Sequence, residues 1–152
     1  MNMLNEGDTL PSFSCVNQDG EARSETHLNQ GKVLVFFYPK DNTPGCTAAA
    51  CSLRDTFGEL QAKGISMFGV SPDSPKKHQN FIKKYEFPFE LWSDEEHDMM
   101  NAFGVWGPKK FMGRTFDGVH RTSFLIEDGV IKHIFRKVKT KTHAEQVLDE
   151  LT

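Results

Sequence analysis

Six consecutive apolar residues, Val33-Leu34-Val35-Phe36-Phe37-Tyr38, set the strongest limit on what this chain can fold into. The run is far short of the roughly 20 residues that span a bilayer, and its β-branched and aromatic content favours a strand. With no polar residue on either face, such a strand must be covered on both sides, as a central strand of an α/β sheet is. The residues that follow agree. Pro39-Lys-Asp-Asn-Thr-Pro-Gly45 is a turn-rich loop. Thr43 then reads as an N-cap with Pro44 at the first helical position, and Ala49, Leu53, Phe57 and Leu60 recur at helical spacing until Gly64.

The rest of the chain alternates in the same way. Short extended segments lie near Ser12 to Val16 and Glu21 to Arg23. Ile65 to Val70 reads as a second strand, and Ser74-Pro75 opens a helix whose Phe81, Ile82 and Tyr85 share a face. Phe87 to Trp92 is a third strand, and Ser93-Asp-Glu-Glu96 has capping-box form and leads into Met99, Met100 and Phe103. A Gly-rich loop is predicted from Gly104 to about His120. Thr122 to Ile126 and Val130 to Phe135 form a hairpin around Asp128-Gly129, and a final helix starts at Thr142. This order predicts an α/β protein with a mixed central sheet, helices on both faces and a right-handed βαβ connection. No repeat or linker divides residues 1–152, so one domain is expected. At 152 residues, 38% of them apolar, it can bury a core without disulfide staples.

Charge and cysteine content narrow the function. Lys and Arg number 18 against 21 Asp and Glu, interspersed to a net charge of −3, so nucleic acid is not an expected partner. Nor is a membrane. The first residues lack a basic and an apolar signal region, and no Asn-x-Ser/Thr acceptor occurs. Three cysteines, at positions 15, 46 and 51, are too few and odd in number for a disulfide framework. A cytoplasmic protein is expected. The histidines at 27, 78, 97, 120, 133 and 143 form no His-Glu-x-x-His motif and no Cys-x2-Cys pair occurs, so no zinc site is expected.

Cys46 stands in the first turn of the helix behind the buried strand, where unsatisfied N–H groups and the macrodipole favour an anion. A free thiol is only a few per cent ionised at pH 7, and the thiolate is the nucleophile. The helix terminus contributes about 1 to 2 kcal/mol toward the anion, so charge-assisted hydrogen bonds of about 1.5 to 3 kcal/mol each must supply the rest. The Thr43 hydroxyl is the nearest candidate donor. Cys51 lies five residues on, about 8 to 9 Å away Cα to Cα in a helix, whereas a disulfide needs under about 7 Å. If the two pair, the first turns must unwind; otherwise Cys51 is a small helix residue without chemistry. Cys15 reads as a packed thiol.

The segment Phe36-Phe37-Tyr38-Pro39-Lys40-Asp41-Asn42-Thr43-Pro44-Gly45-Cys46-Thr47 resembles the active-site segment of peroxiredoxins, with the pattern Pro39, Thr43, Cys46. Cys51, Leu53-Arg54-Asp55, the stretch Phe103 to Gly113 and His120-Arg121-Thr122-Ser123-Phe124-Leu125-Ile126 are similar to the bacterioferritin comigratory protein, or peroxiredoxin Q, branch. The resemblance runs from about Gly7 to Leu151. It implies a thioredoxin-like fold and a thiol peroxidase acting on hydrogen peroxide and organic hydroperoxides, with Cys46 as peroxidatic cysteine. It further implies that Thr43 and backbone N–H groups bind the peroxide, Pro39 shields the sulfenate, and Arg121 stabilises thiolate and developing charge. Cys51 is then the resolving cysteine, the disulfide is reduced by thioredoxin or a similar dithiol protein, the chain is a monomer, and no metal, haem or flavin is required. One position departs from the pattern. Three residues beyond Cys46, where Glu or Gln commonly helps orient the arginine, stands Ala49, for which Asp55 or a water is a candidate substitute.

Two other functions use the same residues. A general dithiol-disulfide oxidoreductase would call for a Cys-x-x-Cys pair and a cis-proline beside it; this chain has four intervening residues and no proline near His120-Arg121-Thr122. A redox-sensing or chaperone-like module would use the same unwinding, with oxidation but no efficient recycling.

Overall fold

The computed structural model describes residues 3–151, with Phe111 described by its backbone alone. The chain runs through β1 (Ser14–Asn17), β2 (Ala22–Ser24), β3 (Lys32–Phe37), α1 (Pro44–Asp55), α2 (Phe57–Ala62) and β4 (Ile65–Ser71). It continues through α3 (Pro75–Tyr85), β5 (Glu90–Ser93), α4 (Asp98–Phe103), β6 (Trp106–Phe111), β7 (Arg114–Val119), β8 (Thr122–Glu127), β9 (Val130–Phe135) and α5 (His143–Leu151). The apolar run occupies the interior of a mixed sheet ordered β2-β1-β5-β4-β3-β8-β9, with β3 parallel to β4 and antiparallel to β8.

The period of two along β3 divides the hydrophobic interior in two. Val33, Val35 and Phe37 pack with Trp92, Phe124 and the α4 side chains Met99, Met100 and Phe103. Leu34, Phe36 and Tyr38 face the opposite layer, with Leu53 of α1, Phe81 of α3 and Val147 of α5. Each fully buried large side chain contributes roughly 1.5 to 3 kcal/mol, so neither face of β3 could be left uncovered. Gly69 of β4 has a packing reason to lack a side chain. A Cβ there would lie 2.6 Å from Leu91 and 2.8 Å from the Phe36 ring.

Three expectations are corrected. The segment predicted as a loop from Gly104 to His120 is a separate two-stranded ribbon, β6 against β7, turned at Met112 and Gly113, both with positive φ. Its strands carry Pro108, Gly107 and Gly118, and most of β7 is exposed, so no buried period of two marks them. The helix predicted to run to Gly64 breaks at Thr56, where φ −109° and ψ 11° leave the helical range. Leu53 and Leu60 still reach one core across the break, which is why the stripe looked continuous. Helix α4 opens at Asp98 rather than within Ser93 to Glu96: the Asp94 carboxylate accepts from the Met99 and Met100 N–H groups at 3.2 and 2.8 Å, a longer reach than a capping box.

Candidate active site

Register brings the site together. Phe37 lies opposite Thr122 in the antiparallel β3/β8 pair, so the chain leaving β3 at Tyr38 and the chain entering β8 at Arg121 share one end of the sheet. Helix α1 starts above that end and carries Cys46 in its first turn, 2% exposed. Arg121 Nη2 donates to the Cys46 sulfur at 3.2 Å, across 75 residues of sequence. Gly45 makes the approach possible, since a Cβ at that position would sit 3.2 Å from the same Nη2. The other guanidinium nitrogen, Nη1, is buried and has no partner among the described residues.

The position where the sequence departs from the family pattern explains part of this. Ala49 is buried and offers no polar atom toward an arginine. Asp55 does not substitute for it: its carboxylate accepts from Arg54 at 2.9 and 2.8 Å. Arg121 is instead braced from its own turn. His120 N donates to Val105 O at 2.7 Å, His120 Nε2 reaches Pro108 O at 3.0 Å, and Lys109 Nζ donates to Val119 O at 2.8 Å. Partial burial, then the nearby Arg121 charge, lowers the Lys109 pKa, while the Cys46 sulfur acts in the other direction. The ribbon is therefore the structural support of the arginine.

The Thr43 hydroxyl is not the donor to sulfur that its spacing suggested. It donates to the Lys40 carbonyl at 2.9 Å, closing the turn before the helix, which leaves its oxygen lone pairs to accept. Pro39 is half-buried at the start of the same loop, between Tyr38 and Lys40. Cys51 is half-buried on α1, which is unbroken from Pro44 to Asp55, and all three cysteines are free. Burial pushes the Cys51 thiol up, with Arg54 opposing and Asp55 adding to the shift.

Sequence reasoning missed the groups that hold the loop. Asp41 accepts from the Tyr38 hydroxyl and sits 2.6 Å from His78 Nδ1, while its backbone N–H donates to Asp73 Oδ2 at 2.7 Å. The one available signal was a histidine at the fourth position of an otherwise lysine-rich helix.

Cys15 packs in the core between β1 and α4, and burial with Asp94 and Asp98 nearby pushes its thiol up to about 12. At pH 8 its thiolate fraction is then on the order of 10⁻⁴, against about a quarter for an unperturbed thiol. Iodoacetamide is expected to label Cys15 roughly a thousandfold more slowly in the native protein than in denaturant, as read by mass spectrometry.

A sheet of this order with a helix-start thiol at its end belongs to the thioredoxin-like class, and sequence comparison narrows the class to a family. The AhpC/TSA family matches residues 7–134. Peroxiredoxin Bcp of Escherichia coli is 49% identical over 152 residues, covering 99% of this chain and 97% of that one. Peroxiredoxin Bcp of Bacillus subtilis is 40% identical over 146 residues, covering 95% and 93%. Among solved structures, the Xanthomonas campestris bacterioferritin comigratory protein, described for its alkyl peroxide reduction activity, superposes with a TM-score of 0.86 at 32% identity, covering 95% of this chain and 97% of that one. The chain belongs to the AhpC/TSA family, in its Bcp or peroxiredoxin Q branch, and is a peroxidase with a thioredoxin-like fold. No helix among the described residues is long and apolar enough to cross a membrane.

Proposed function

We propose that Cys46 is the peroxidatic cysteine of a two-cysteine thiol peroxidase acting on hydrogen peroxide and small organic hydroperoxides. The observation that carries this reading is the Arg121 Nη2 to Cys46 Sγ bond of 3.2 Å beside a buried Nη1 that has no partner among the described residues. One end of the guanidinium favours the thiolate, and the other is a donor available to a second anion or oxygen. The Cys46 thiolate attacks the distal oxygen of ROOH, the O–O bond breaks, and RO⁻ leaves and is protonated to ROH. Sulfur becomes a sulfenic acid. Thr43 accepts from the peroxide O–H, and Pro39 covers the sulfenate. The alkyl peroxide reduction activity of the Xanthomonas relative supports an organic hydroperoxide as substrate.

Cys51 then attacks the Cys46 sulfur, the S–O bond breaks, water leaves and a disulfide forms. Because both cysteines lie on one unbroken helix, their Cα atoms about 8 to 9 Å apart by helix geometry, the first turns of α1 unwind for this step. Ala48, Ala49 and Ala50 between them carry no bulk to lock the segment. A dithiol protein of the thioredoxin type restores the two thiols, and the 1–152 chain works as a monomeric, single-domain enzyme of the cytoplasm. Its three free cysteines suit that reducing compartment.

The test is stopped-flow mixing of reduced protein with one equivalent of hydrogen peroxide, followed by mass spectrometry of the product. Oxidation far faster than a free thiol with a Cys46–Cys51 linkage supports the whole scheme. A persistent sulfenate removes Cys51 from it, and oxidation at a free-thiol rate overturns the assignment of Cys46. In Cys51→Ser, a single oxidation event is expected, after which consumption stops. Gly45→Ala is expected to slow Cys46 oxidation several-fold, because the new methyl displaces Nη2 by a few tenths of an ångström. Its thermal midpoint should stay at or above that of the parent, since alanine favours a helix over glycine.

A further inference from the structure

The loop that leads into Cys46 is gripped from outside by α3, at two consecutive residues. His78 is fully buried, and its two ring nitrogens both face acceptors: Asp41 Oδ2 at 2.6 Å from Nδ1, and the Trp92 carbonyl at 2.9 Å from Nε2. A neutral imidazole has one N–H and would turn a lone pair toward one of those oxygens. The Tyr38 hydroxyl already donates its proton to Asp41 Oδ1 at 2.6 Å, so it cannot relieve the second contact. One proton between Nδ1 and Asp41 Oδ2, with the other ring N–H on the Trp92 carbonyl, satisfies every atom of the cluster. The carboxylate of Asp73 adds a second hold on the loop: it accepts from the Asp41 N–H and the Ser71 hydroxyl, with Lys77 Nζ 3.8 Å from it. The next residue, Asn42, has a positive φ of 61° and accepts from Lys84 Nζ and Tyr85 Oη at 3.3 and 3.2 Å.

We propose that His78, held between Asp41 and the Trp92 carbonyl, is a positioning residue for peroxide reduction: it fixes the 38–43 loop so that Thr43 and the first turn of α1 present Cys46 to Arg121 and to the substrate. The contacts at Asp41 and Asn42 come from outside α1, whose own tie to α3 lies at its far end, where Arg54 Nη1 donates to the Tyr85 carbonyl at 2.9 Å. The clamp therefore holds the near end of the chain while the helix beyond it unwinds and reforms, and each cycle returns Cys46 to the same place.

This inference rests on Cys46 being the oxidised thiol, and the experiment separates the two. Ring nitrogen chemical shifts of His78 are recorded in ¹⁵N-labelled wild-type protein at pH 7.5, and Cys46 oxidation by hydrogen peroxide is timed in wild type, His78→Gln, Asp41→Asn and the double variant. Ring signals of a single state hydrogen-bonded at both nitrogens, and oxidation slowed about tenfold or more in each single variant at temperatures well below its thermal midpoint, are the expected result. The double variant should be no slower than either single one, because the two residues act as a unit. Ring signals of a freely averaging imidazole, without hydrogen bonds at both nitrogens, overturn the clamp, and that reading needs no variant to fold. Variants that lose thermal stability yet oxidise at the wild-type rate reduce His78 to a structural residue. Slow oxidation of the wild type itself would instead remove Cys46 from the mechanism.

Discussion

Cys46→Ser is expected to abolish peroxide turnover, with a loss on the order of 10⁴-fold or more in the rate of peroxide consumption with a dithiol reductant. A hydroxyl at this position is not ionised near neutral pH, and the positive surroundings that favour a thiolate cannot make an alkoxide of it. Removing the nucleophile of an enzyme that forms a covalent intermediate has effects of this size, because the remaining groups act only through it. The protein should fold normally, since serine is close to cysteine in volume and Arg121 Nη2 retains an acceptor at the site of the sulfur. A Cys46→Ser protein that still consumed peroxide would assign the reaction to Cys51 or Cys15. The buried, proton-retaining state of Cys15 argues against the latter.

Arg121→Ala is expected to slow Cys46 oxidation by about 10²- to 10³-fold, the loss that follows removal of one fixed donor aimed at developing charge, about 2.7 to 4 kcal/mol. The effect should be confined to the reaction. The only hydrogen bond that Arg121 makes among the described residues is to the Cys46 sulfur, and its Nη1 is already a buried donor without an acceptor, so truncation leaves little behind to destabilise the fold. Arg121→Lys should recover only part of the rate: an ammonium restores charge but cannot direct one N–H at sulfur and a second, in fixed geometry, at oxygen. Second-order rate constants for sulfenate formation, with thermal midpoints as control, decide it. A rate unchanged in Arg121→Ala would mean that the helix terminus alone activates the thiol.

The site residues differed in how far they could be read from the chain. Cys46 was legible from local grammar, a two-faced buried strand, a turn-rich loop and a Thr-Pro helix start, because each signal spans a few residues. Cys51 was legible as a position, and its distance from Cys46 followed from helix geometry. Arg121 was reached only through the family pattern, since nothing within a window of 10 residues distinguishes it from a surface arginine. Lys109 and His120, which brace it, fell inside the stretches that resemble the family but were given no role of their own. The ribbon that carries them presents no buried face whose period could be read.

The local sequence determined the elements and which of them bears the thiol, because periodicity, capping residues and turn formers act over distances shorter than one helix. The tertiary structure alone decided the partners. The register of Phe37 against Thr122 set Arg121 over the sulfur, and the packing of α3 against the loop set His78 on Asp41. It also directed the Thr43 hydroxyl to the Lys40 carbonyl instead of the sulfur. The Arg121–Cys46 and His78–Asp41 contacts join side chains 75 and 37 residues apart, and their geometry depends on how whole layers settle on the sheet. Short-range preference carries no record of that settlement, and so the chemistry of the site was written only once the two faces of β3 had been covered.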